Sequence, residues 1–167
     1  MKLCIRKQSY RLANQIINPS TIEDIEELLT DNSIDMHSLS RSNFNDFLRN
    51  IFIDKGWQNN PSSFNEIINP FAKLEYIKDN VGLEVGFRHT SLIGYNLIKF
   101  QLSPQHNCYF INGGIYIVTT QNFQKHIKKK YNQNWTGAMS YEKVDRYLRH
   151  FKSTIKIPIY LIGIDVA

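Results

Sequence analysis

Apolar residues recur at helical spacing in the first third of the chain and gather into short continuous runs further on. Leu3-Cys-Ile-Arg and Leu12-Ala-Asn-Gln-Ile-Ile17 admit a strand followed by a short helix. Ser20 or Thr21 caps a helix over Ile22 to Thr30, whose acidic first turn suits the helix dipole, and Asp31-Asn-Ser stops it. Phe44, Phe47, Leu48, Ile51 and Phe52 predict a helix from Asn43 to about Lys55, closed by Gly56. Phe64 to Ile68 reads as a helical turn carrying Glu66, broken by Asn69-Pro70.

The period then changes. Leu74 to Ile77 and Val81 to Val85 are strand-type runs on either side of Asp79-Asn80, two turn residues, and together they predict a β-hairpin. A two-residue loop sets Lys78 opposite Val81, Ile77 opposite Gly82, Tyr76 opposite Leu83, and Glu75 opposite Glu84. Like charges placed directly opposite each other on a sheet repel. A divalent metal would offset that repulsion, since hard cations seek carboxylate oxygens. The same register puts Lys73 opposite Gly86.

Beyond the hairpin, Ser91 caps a helix running to about Leu102, and Pro104-Gln-His-Asn forms a loop. Gly113-Gly114 is a bend or bulge leading into Ile115 to Thr119, apolar enough for the centre of a sheet. A helix over Asn122 to Tyr131 has a basic exposed face. Another runs from Tyr141 to about Thr154, with Val144, Tyr147, Leu148 and Phe151 on one side. Ile157 to Ile164 is a strand buried on both faces, with Pro158 near its start. The order predicts an α/β fold, a mixed central β-sheet flanked by helices. One domain is expected over residues 1–167, with a helical N-terminal part over about 1–68 and a sheet-centred core over about 69–167.

Composition narrows the field a little. Twenty Lys and Arg stand against 15 Asp and Glu, giving a net charge of +5 and a basic isoelectric point near 9.2. That balance favours, weakly, a polyanionic partner such as a nucleic acid. Basic residues gather late, and Lys128, Lys129 and Lys130 are candidate phosphate contacts or else a solvated helix end. No run approaches the roughly 20 apolar residues of a membrane span, and the N-terminus lacks a secretory pattern. Cys4 and Cys108 are too few for a disulfide framework or a zinc knuckle. The expectation is a cytoplasmic protein with no membrane partner.

An acidic residue on one strand, Glu84-x-x on the next, a helix, then a buried strand resembles the core of the PD-(D/E)xK nuclease superfamily. The closer likeness is to type II restriction endonucleases of the BglII and BamHI group. Glu75 and Glu84, nine residues apart, match the two metal-binding acidic positions. Lys55-Gly-Trp57 and the stretch from Arg88 to Lys99 also look like that group, and the resemblance spans roughly residues 43–120. It implies a restriction-endonuclease-like core and a homodimer cutting double-stranded DNA at a specific sequence. It also implies Mg²⁺ as cofactor, with Mn²⁺ as a substitute, held by Glu75 and Glu84 and assisted by Glu66. Two departures stand out. The first acidic residue is Glu75 where relatives have Asp. The third motif position, Lys, Gln or Glu in active relatives, is Gly86, so Lys73 or Arg88 is needed to stand in, the latter placed on the face of Glu84 by strand alternation. A nuclease fold without catalysis, serving as a DNA-binding or assembly module, is the alternative, and a partner-binding α/β protein with no nucleic-acid role is the third reading.

Overall fold

The computed structural model describes residues 1–31, 40–59, 74–106 and 110–167, with side chains throughout except at 102–106. In chain order the elements are β1 (Leu3–Tyr10), α1 (Ala13–Ile16), α2 (Pro19–Thr30), α3 (Arg41–Asp54), β2 (Gln58–Asn59), β3 (Tyr76–Lys78) and β4 (Val81–Val85). They continue with α4 (Ile93–His106), β5 (Gly113–Thr119), α5 (Gln121–Tyr131), α6 (Tyr141–His150) and β6 (Ile159–Val166). Among the described residues six strands form one sheet in the order β1-β6-β5-β4-β3-β2. The centre, β4-β5-β6, is parallel, and antiparallel strands flank it on both sides. This is the expected mixed sheet.

Alternation along the central strands creates two cores. Leu83, Val85, Ile115 and Ile117 face one way and pack with Ile17, Ile25, Leu48, Phe52, Phe123 and Ile127 from α2, α3, α5 and the end of α1. Tyr116, Val118 and Leu161 face the other way, against Ile93, Leu97 and Phe100 of α4 and Val144 and Leu148 of α6. Parallel strands buried on both faces account for the unbroken apolar character of β5 and β6. No described helix is long and apolar enough to cross a membrane.

The hairpin has the expected register, with Lys78 opposite Val81, Ile77 opposite Gly82 and Tyr76 opposite Leu83. Asp79 and Asn80 both take positive φ, 49° and 61°. That is the type I′ turn whose twist matches the strands it joins, and Asn and Asp tolerate it better than most residues.

Several expectations need correction. The N-terminal part is not purely helical, because β1 pairs with β6 from Leu3 opposite Val166 to Tyr10 opposite Ile159 and so belongs to the sheet. Helix α2 starts at Pro19, with the Asn18 side chain, not Ser20 or Thr21, accepting from the Ser20 N–H at 3.1 Å. Proline suits that first position because its missing N–H would have no helical partner there. Helix α4 is preceded by a short 3₁₀ turn over Thr90–Leu92, capped by His89 in place of Ser91, and its backbone continues through Pro104 to His106. Gly113 and Gly114 are not a bulge, since they pair in unbroken register with Val81 and Gly82. A Cβ on Gly114 would lie 2.4 Å from the Phe100 ring, so the missing side chain lets α4 close onto the sheet. Helix α6 stops at His150, short of Thr154. The helical turn over residues 64–68, with Glu66, and Lys73 lie outside the described residues.

Candidate active site

Glu75 immediately precedes β3, and the hairpin register carried one step further sets it opposite Glu84 on β4. Each carboxylate is bound by the other's strand. Oε1 of Glu84 accepts from the Glu75 N–H at 2.9 Å, and Oε2 of Glu75 accepts from the Val85 N–H at 2.9 Å. Glu84 is 1% exposed and projects toward the α4 layer. There its Oε2 meets the ammonium of Lys99, a residue of α4 that is itself only 8% exposed, at 2.7 Å. The Lys99 ammonium also lies 5.6 Å from the centroid of the Tyr95 ring, one turn earlier on the same helix.

This geometry changes the argument from repulsion. The offset to the two opposed carboxylates comes from Lys99 and from two backbone N–H groups, where the pairing argument assigned it to a metal. The nearby Lys78 ammonium donates to the Lys55 carbonyl at 2.8 Å. Burial nonetheless dominates the titration of both acids. It pushes Glu84 up to about 7, reinforced by the charge of Glu75 and opposed by Lys99. Glu75 is raised for the same reason, and the Val85 N–H, Lys99 and Arg88 pull it back.

The place of the third motif residue is filled. A Cβ on Gly86 would lie 2.8 Å from the Tyr116 ring, 2.9 Å from Val118 and 3.0 Å from the Met139 sulfur. The space next to the Gly86 Cα is thus taken by these three side chains, and Lys73 lies outside the described residues. Tyr116 is fixed in turn, accepting from the Asn96 amide at 3.0 Å and donating to the Met139 sulfur at 2.8 Å. Arg88 lies beyond the end of β4, where its charge still reaches Glu75 and Tyr95. Its side chain is exposed, and its carbonyl accepts from the Met139 N–H at 2.9 Å. Lys128, Lys129 and Lys130 are exposed in the last turn of α5, on the opposite face of the sheet from α4. Trp135 is buried against Phe44, Phe87 and Phe123.

Lys99 carries no role in the sequence reading, although the sequence holds a signal for it. It is the only Asp, Glu, Lys or Arg between Arg88 and Lys125. Among the described residues no three His, Cys, Asp or Glu side chains gather as a metal site. Two carboxylates still fit Mg²⁺, which is bound through one or two of them together with waters and substrate phosphate. Glu75 is the more exposed of the two.

A mixed sheet with a parallel centre, helices on both faces, and a hairpin carrying two opposed acidic residues defines a restriction-endonuclease-like protein. The family described as "Restriction endonuclease BglII/BglIII" matches residues 5–164, and the chain belongs to that family. Among solved structures it is similar to restriction endonuclease BglII complexed with a DNA 16-mer, with a TM-score of 0.74 and 19% identity, over 98% of this chain and 77% of that one. It is also similar to free BglII, with a TM-score of 0.69 and 20% identity, over 98% of this chain and 79% of that one. At such identity the likeness speaks to the fold. No curated protein sequence matches the chain.

Proposed function

We propose that this chain is a Mg²⁺-dependent type II restriction endonuclease, hydrolysing phosphodiester bonds of double-stranded DNA at a specific sequence. The observation that carries the reading is the cross-strand pair Glu75 and Glu84, bound to each other's strands within the fold of this family. Glu75 and Glu84 hold the ion, with Glu66 as a further ligand. When bound, Mg²⁺, or Mn²⁺ in its place, supplies Lewis acidity that makes water nucleophilic at neutral pH and offsets phosphate charge. The water oxygen bonds to phosphorus while the bond from phosphorus to the leaving sugar oxygen breaks. The products are a phosphomonoester and a hydroxyl, and the water's proton passes to solvent.

The solved complex of BglII with a DNA 16-mer supports duplex DNA as the substrate. Lys128, Lys129 and Lys130 contact phosphates, which positions the duplex without reading its sequence. The working unit is a homodimer, because cutting both strands of a palindrome takes two sites related by a two-fold axis. Exposed Ile98 on α4 and Tyr147 and Phe151 at α6 support a partner on that side.

The test is incubation with plasmid and mixed linear duplexes in Mg²⁺ or Mn²⁺, beside Glu84→Ala. Discrete fragments from the wild type and none from the variant are expected. If neither metal gives cleavage, the enzyme reading is lost. Gly86 favours the second reading in that event, a nuclease fold that binds duplex DNA without cutting it. Affinity falling steeply with salt would then remain.

A further inference from the structure

We propose that Lys99 is the catalytic cation of this site, supplied from helix α4 where strand β4 has only Gly86. The proposal rests on the reading of Glu75 and Glu84 as the ligands of a nuclease metal. Three observations carry it. The strand cannot supply the group, because Tyr116, Val118 and Met139 occupy the space a side chain at position 86 would take. Arg88 is exposed beyond the end of β4, and of the two cations whose charge reaches Glu75, Lys99 counts for more. Lys99 is held in place, its ammonium 2.7 Å from Glu84 Oε2 on a helix seated by Ile93, Leu97 and Phe100.

Lys99 offsets the two carboxylates, yet a stable fold does not require an ion pair at this place. Taking a lysine and a glutamate out of water costs about as much as their attraction returns, and apolar replacements are often neutral or stabilising. A phosphodiester does have a use for it. Negative charge grows on the non-bridging phosphate oxygens as water attacks, and a cation already fixed beside them stabilises that charge without reorganising. An ammonium carries three donors, and the bond to Glu84 takes one of them. Lys99 keeps all its protons throughout and acts as a hydrogen-bond donor to a non-bridging oxygen. The bonds that form and break are those of the hydrolysis already given.

Lys99→Met, Lys99→Gln and Lys99→Arg in the whole chain test this. The readouts are single-turnover cleavage in Mg²⁺, duplex affinity by gel shift in Ca²⁺, Mn²⁺ affinity by calorimetry, and thermal melting. Lys99→Met is expected to cut about 100-fold more slowly, the usual loss for one transition-state donor, with duplex and Mn²⁺ affinities retained. Lys99→Arg recovers part of the rate. Lys99→Gln, which keeps a hydrogen bond to Glu84 without the charge, decides the matter if the Met variant does not fold. Wild-type rates in the neutral variants overturn the proposal and leave the nuclease reading intact. Loss of rate accompanied by loss of Mn²⁺ affinity also overturns it, since Lys99 would then only position Glu84. A wild-type chain that binds Mn²⁺ yet cuts no duplex overturns both.

Discussion

Glu84 is the residue on which the site's acid–base behaviour turns, because burial lifts its carboxyl from the ordinary 4.5 to about 7. The folded, metal-free protein therefore takes up this proton more readily than the unfolded chain. The stability it contributes is complete below 4.5 and is lost as pH rises through about 7. Urea midpoints of the metal-free wild type should fall over that window, whereas Glu84→Gln, which cannot ionise, should give a flatter profile. Gly86 makes a separate prediction. Restoring the relatives' side chain with Gly86→Gln forces atoms into space held by Tyr116, Val118 and Met139. A loss of about 1–3 kcal/mol in denaturant unfolding is expected for such overpacking, with no gain in cleavage. The two glutamates are legible in the sequence because strand side chains alternate strictly and a two-residue turn fixes the pairing. Lys99 is not, because its partner depends on where a helix docks, which no local pattern records. Its isolation in an uncharged stretch is visible, but isolation names no partner.

Helices and strands with strong local signals are legible in the same way. The hairpin, β5, β6 and the Gly56 end of α3, where φ is +84°, follow from apolar runs and turn chemistry. Strand β1 is ambiguous in the sequence because Leu3–Tyr10 is an edge strand of mixed exposure whose partner lies at the far end of the chain. The glycine pair before Ile115 reads as a bulge because tight helix packing and a bulge leave the same mark in a sequence. That packing carries a prediction at this scale. Gly114→Ala puts a methyl group 2.4 Å from the Phe100 ring and so lifts α4 from the sheet. The expected cost is about 1–3 kcal/mol. Because α4 carries Lys99, cleavage at a temperature where the variant is fully folded should fall as well. Unfolding curves and rates measured on the same sample separate the two effects.

For the molecule as a whole, charge governs the meeting with DNA. With a net +5 and three exposed lysines at the end of α5, duplex affinity should fall steeply as salt rises. Replacing Lys128, Lys129 and Lys130 together with Ala should reduce the slope of log affinity against log salt by up to about three, one for each phosphate that no longer meets a lysine. Titrations at several salt concentrations read that slope directly, and an unchanged slope would remove these lysines from the interface. The sheet's strand order has a consequence of another kind. Strand β6 lies between β1 and β5 yet is made after both. On the ribosome, residues 3–10 emerge long before their partner strand, residues 159–166. The β5 edge stays open from the emergence of residues 113–119 until that same strand follows. A nascent chain can thus form the hairpin early, but the sheet behind it closes only when β6 joins, so nuclease competence is expected to appear all at once with that strand.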